Sequence, residues 1–150
     1  MKKIIAFTSV FGIFVLLFFG LQSCNGNQGP KPIRYGKDQC VYCKMTISDA
    51  RFGTQLLTKK GRVHNFDDLS CMIAFVKEGK ISKDDIAEFY VPDYTNDNKL
   101  LPASKLFYLK SDQLKSPMRG DIAGFSKKSD LENTKTSHDG EILQWDDLWK

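Results

Sequence analysis

Two thiols and a thioether fall within six residues in Asp38-Gln39-Cys40-Val41-Tyr42-Cys43-Lys44-Met45. Thiolate and thioether sulfurs are soft, polarisable donors, and such donors select Cu(I) among the common biological metals. A soft ion held at low coordination number keeps an open edge from which another molecule can take it. A third candidate donor, Met118, sits in Lys115-Ser116-Pro117-Met118-Arg119-Gly120. Proline before it and glycine after it predict a turn that holds the side chain at a surface rather than in a core. The residues expected to carry one Cu(I) are therefore Cys43, Met118 and either Cys40 or Met45, in a protein that binds and passes on a metal rather than catalysing a reaction.

Each of these residues has a plainer role to set beside that chemistry. Methionine usually fills gaps in cores, and Met72 fits that role. With Leu69, Ile73 and Val76 it forms a stripe at helical spacing. Cys71 points roughly away from that stripe, toward a site or toward a second packed surface. A Cys-x-x-Cys pair is also half of a zinc site, and Cys71 with His64 supplies the two further ligands that a zinc site needs. As a thioredoxin-like pair it would open a helix after a buried strand, whereas here it follows a linker. A disulfide between Cys40 and Cys43 is open to the empty protein in an oxidising compartment. His64 alone reads as an ordinary strand histidine. Asp67-Asp68 reads first as a helix cap, and second as a pair of carboxylates for a further cation beside Cys71.

The beginning of the chain places that chemistry. Met1-Lys2-Lys3 is a short positive start, Ile4 to Leu21 is an uncharged and almost unbroken apolar run, and Leu21-Gln22-Ser23-Cys24 follows. These are the parts of a secretory signal, and the leucine and serine before Cys24 resemble a bacterial lipobox. Residues 1–23 read as a lipoprotein signal peptide, and Cys24 becomes the acylated first residue of the mature chain. The competing reading is a membrane-spanning anchor, since the run is nearly long enough. With two lipid signals already sufficient for stable anchoring, an acylated Cys24 holds the protein on a membrane unaided. The expected location is the cell envelope, on the periplasmic face of the outer membrane in preference to the outside of the cytoplasmic membrane. Without Lys2 and Lys3, 20 basic residues face 18 acidic ones. No basic block is interleaved with aromatics, which argues against a nucleic-acid partner. With Cys24 lipidated, three cysteines remain, an odd number that points to a free thiol or a metal rather than a disulfide framework.

These residues need a scaffold, and the sequence predicts a small α+β domain at residues 36–150 behind a Gly-, Asn- and Pro-containing tether at residues 24–35. Thr54 to Thr58 and Arg62 to Phe66 read as a hairpin around Lys59-Lys60-Gly61. A helix over Leu69 to Lys77 is capped by Asp67 or Asp68, with Gly79 past its end. Ile86 to Val91 and Lys105 to Lys110 read as strands around a turn-rich loop from Pro92 to Pro102. Ser129-Asp130-Leu131-Glu132 fits a capping box, and the last strand is expected from Glu141 to Trp145. The segments from Gly61 to Leu69 and from Gly140 to Leu148 align, and Met45 and Met118 are each followed by Ala and Phe five and seven residues on. This suggests two pseudo-repeated β/α units packed as one domain, with Met45 and Met118 in equivalent places.

Cys40-x-Tyr-Cys43-x-Met45, Asp49 to Gln55, Phe66-Asp67-Asp68 with Cys71-Met72, and Ser116-Pro117-Met118 together resemble the NosL proteins, in order, from about Tyr35 to the end of the chain. The resemblance implies a two-part α+β fold and a lipid-anchored copper-binding accessory protein, and the chain itself is expected to be a monomer. It also implies partners: an apo copper enzyme, nitrous oxide reductase, or its assembly machinery. Carried over by position, the metal-binding residues are Cys43, Met45 and Met118. Many members have Cys-Gly-Met where this chain has Cys43-Lys44-Met45. Lysine there restricts the turn, and its cation favours an ionised neighbouring sulfur. The alternative from another class is a thiol oxidoreductase or zinc-stabilised envelope module built on Cys40 and Cys43.

Overall fold

The computed structural model describes residues 29–150, so the proposed signal peptide and Cys24 lie outside the described residues. The fold is α+β, with two antiparallel sheets and two α-helices among the described residues. In the first sheet, β1 (Thr54–Thr58) lies between β2 (Val63–Phe66) and β3 (Ile86–Pro92), and β4 (Leu100–Pro102) forms the far edge. All five residues of β1 are buried, as a central strand covered on both faces must be. Helix α1 (Leu69–Lys77) follows β2 and buries Leu69, Cys71, Met72 and Val76. In the second sheet, β5 (Phe107–Lys110) lies between β6 (Ile122–Phe125) and β7 (Glu141–Leu143), and α2 (Lys128–Ser137) connects β6 to β7.

One core cluster joins the units through Ile47, Leu56, Phe66, Met72, Val91, Leu106 and Tyr108, and a second cluster gathers Phe52, Leu109, Phe125 and Leu131. Burial pushes the Tyr108 phenol upward, so it stays neutral, and its hydroxyl donates to the Ala103 carbonyl at 2.6 Å. The sheets meet at Gly124, which forms a parallel bridge with Asp93 and accepts the Tyr94 N–H at 2.8 Å. A Cβ on Gly124 would lie 2.9 Å from Val91 Cγ1, 3.0 Å from Leu106 Cδ1 and 3.2 Å from the Pro92 carbonyl oxygen. Glycine is required there by close approach.

Several expected elements differ in detail. The capping box at Ser129 does not form: α2 begins two residues earlier, with Lys127 at its N-cap and no side-chain capping bond. The last strand stops at Leu143 because Gln144 and Asp147 make a reciprocal capping box that starts a 3-10 helix over Trp145–Trp149. The packed chain reaches further back than Tyr35, since Ile33 is buried and Gln55 holds both backbone polar groups of Lys31, at 2.8 and 2.9 Å. The expected repeat register is not the register of the structure. Residues 61–69 run through β2 into α1, whereas residues 140–148 follow α2 and run through β7 into a 3-10 helix. Ala50 and Phe52 lie in a turn, and Ala123 and Phe125 in β6. The equivalence of Met45 and Met118 therefore has no support in the element order.

Candidate metal centre

The cysteine loop is a tight hairpin laid against β2, the edge strand of the first sheet. Gly36 N–H donates to the Ile47 carbonyl, Ile47 N–H to Asp38 and Cys40 N–H to Met45, at 2.8, 2.9 and 2.9 Å, with a bridge between Gln39 and Thr46. Lys44 N–H closes the turn onto the Cys40 carbonyl at 3.0 Å, and Val41 N–H ties the tip to Asn65 of β2 at 3.0 Å. Lys44 sits at φ 68°, in the left-handed region, where glycine is the low-cost residue. Its ammonium folds back on the Val41 carbonyl at 2.7 Å. Lys44 thus adopts a turn conformation suited to glycine, at some cost in backbone energy.

Cys71 arrives from the other side, in the first turn of α1. Asp68 caps that helix, accepting the Cys71 N–H at 3.1 Å. The Sγ atoms of Cys40, Cys43 and Cys71 all lie within 4.8 Å of one another, and none is in a disulfide. Cys40 and Cys71 are buried, whereas Cys43 is half-buried and Met45 is 57% exposed. The cluster therefore has a closed floor and an open edge.

Its electrostatics suit a thiolate trap. The Cys71 thiol donates to Cys40, and backbone N–H groups of Cys43, Asp67 and Tyr42 add to it, which brings Cys40 down to about 5 against the cost of its burial. Cys71 is pushed upward, first by that hydrogen bond to Cys40 and then by burial, and Cys43 is raised mainly by burial. Hydrogen bonding thus favours ionisation at Cys40 and, with burial, disfavours it at Cys71 and Cys43. Asp67 lies beside Cys40. Burial, then the negative charges of Cys40, Asp68 and Asp49, raise its carboxyl to about 6, and its Oδ1 has no hydrogen-bond partner.

Asp68 differs from its neighbour. Besides the cap and the Ser70 hydroxyl at 2.6 Å, it accepts the Ser116 hydroxyl at 2.8 Å and the Met118 N–H at 3.2 Å. This places the Met118 loop against the helix that carries Cys71, with Met118 half-buried on the main core. Met72 is fully buried in the core, as its spacing implies. His64 is not in the cysteine group. It stacks on Phe75 at 5.5 Å and lines a separate cleft with Lys60, Arg62 and Lys80. Sequence reasoning joined Cys71 to Cys40 and Cys43 only in the zinc alternative, with His64, and left it out of the Cu(I) donor set. Its position after Asp67-Asp68, in the first turn of a helix beginning where β2 meets the cysteine loop, is the signal that could have joined them.

Comparison with known proteins agrees with this architecture. The NosL family profile matches residues 33–150. The copper-binding lipoprotein NosL of Stutzerimonas stutzeri is 25% identical over 146 residues, covering 89% of this chain and 76% of that protein. The crystal structure of the copper chaperone NosL from Shewanella denitrificans superposes with a TM-score of 0.64 at 23% identity, covering 79% of this chain and 96% of that one. The former carries the match in sequence and the latter the match in fold. With the family profile spanning most of the folded chain, this protein belongs to the NosL family.

Proposed function

We propose that this protein is a Cu(I) metallochaperone, lipid-anchored through Cys24, that carries copper as cargo to an extracytoplasmic copper enzyme. The observation that carries this reading is the trio of free sulfurs within 4.8 Å, buried on two sides and open at Cys43. Such a donor set fits a soft monovalent ion that tolerates low coordination. Cys40, Cys43 and Cys71 supply thiolates, and Met45 and Met118 supply thioethers from the two adjoining loops. Binding of Cu(I) releases the protons that the thiols hold, as their sulfurs join the ion. Two relatives bear names that state copper binding and a copper-chaperone role, which supports the choice of metal.

Release is favoured by the same asymmetry. Cys43 and Met45 form the accessible edge, so a donor from an acceptor protein can reach the ion while Cys40 and Cys71 still hold it. The acceptor in this reading is apo nitrous oxide reductase or its assembly machinery, met by a monomeric chaperone on the periplasmic face of the outer membrane. The zinc alternative lacks support at its fourth ligand, because His64 is outside the cysteine group. The test is a competition titration of the reduced full chain in detergent against a Cu(I) chelator, with metal analysis of the purified protein. One copper per chain with thiolate charge-transfer absorption supports the proposal. Tightly held zinc, or a redox-active Cys40–Cys43 disulfide with no copper affinity, overturns it.

A further inference from the structure

Asp68 has more work than a helix cap demands. A cap needs one side-chain oxygen, and serine, threonine, asparagine or aspartate provides it about equally well. Here one oxygen, Oδ1, already serves the cap, accepting the Cys71 N–H at 3.1 Å and the Ser70 hydroxyl at 2.6 Å. The second oxygen, Oδ2, faces away from the helix and accepts the Ser116 hydroxyl at 2.8 Å and the Met118 N–H at 3.2 Å. The carboxylate is almost wholly buried, at 1% exposure. Four protein donors occupy it, which is about the full acceptor capacity of a carboxylate. It is a link between two segments rather than a free ligand.

The segment it holds is rigid in itself. Ser116 N–H donates to Asp121 Oδ1 and Asp121 N–H returns to Ser116 Oγ, both at 2.8 Å, while Arg119 N–H closes on the Ser116 carbonyl at 3.0 Å. The loop also sits flush on the start of α1: a Cβ at Gly120 would come within 2.8 Å of Ser70 Cβ and 3.4 Å of Asp68 Oδ2. One buried side chain therefore touches, through opposite oxygens, the backbone N–H of Cys71 in the cluster and that of Met118, which lies fifty positions after Asp68 itself. We propose that Asp68 is a positioning residue of the copper centre, and that it clamps the Met118 loop at the distance from Cys71 that lets the Met118 thioether reach the ion. This inference rests on the reading of Met118 as a ligand.

Asparagine separates the two jobs. Asp68→Asn keeps a capping oxygen for Cys71, but its amide nitrogen cannot accept from the Met118 N–H. Cu(I) competition titrations on the reduced full chain in detergent would compare wild type, Met118→Leu, Asp68→Asn and the double variant. Met118→Leu is expected to weaken binding about tenfold or more, Asp68→Asn by a similar factor, and the double variant no further than Met118→Leu alone. X-ray absorption should show one sulfur donor fewer in both single variants. A purely structural role would instead add to the Met118→Leu loss and leave the donor count of Asp68→Asn intact. If Asp68→Asn does not fold, Ser116→Ala removes a donor to the same oxygen while sparing the cap, and the same non-additivity is expected. A multiplicative loss, or wild-type affinity in the Asp68 and Ser116 variants while Met118→Leu is weakened, overturns the clamp alone. Wild-type affinity in Met118→Leu removes the ligand reading, and the clamp with it.

Discussion

Replacing Cys71 by alanine asks whether the third sulfur belongs to the centre. The change deletes one buried heavy atom from the first turn of α1, where Cys71 is 2% exposed. Deletions of that size, as in Ile→Val, cost about 0.5–1.5 kcal/mol. The helix cap survives, because Asp68 bonds the backbone N–H of residue 71 rather than its side chain. Against a domain stability of about 5–15 kcal/mol the apo protein should stay folded, with a melting temperature lowered by a few degrees, roughly 2–8 °C. Copper binding should respond far more strongly. One of the three sulfurs within 4.8 Å is gone, and a loss of at least about a hundredfold in affinity, or about 2.8 kcal/mol, is expected. The assay pairs a thermal melt of the apo protein with chelator competition for Cu(I) under reducing conditions. Wild-type affinity in a folded Cys71→Ala variant would place Cys71 outside the centre. A collapsed apo protein would show that the thiol serves packing first.

Met45→Ala, at a 57% exposed position, should change stability by no more than about 0.5 kcal/mol, yet slow Cu(I) transfer to a chelator in stopped-flow measurements; unchanged transfer kinetics would remove Met45 from the open edge. Gly124→Ala should destabilise the domain by about 1–3 kcal/mol in urea unfolding, since its Cβ would press on Val91, Leu106 and the Pro92 carbonyl. Cys24→Ala should move the protein from membrane to soluble or uncleaved fractions while the purified variant still binds copper, because the tether and the cysteine cluster are separate parts of the chain. Loss of copper binding in that variant would show that they are not.

The local pattern of the chain determined a good deal. Alternation and turn residues located the β1–β2 hairpin, and the apolar stripe with Asp68 before it and Gly79 after it located α1 with its observed bounds. Four-residue β6, Ile122–Phe125, escaped notice because its Ala123 and Gly124 carry little strand preference. Gly124 is there for the contact between sheets, which is a tertiary requirement. The nearness of Cys40 to Cys43 was legible because they are close in sequence, and a hairpin keeps neighbours together whatever the rest of the fold does. Cys71 and Met118 were different. Cys71 reaches the first loop because β2 delivers α1 beside it, and Met118 is held against α1 by the one buried carboxylate that also receives the Cys71 N–H. Donor identity is written in residue types, whereas donor assembly is decided by long-range packing and buried hydrogen bonds, and only the tertiary structure brings three sulfurs and Asp68 to one place.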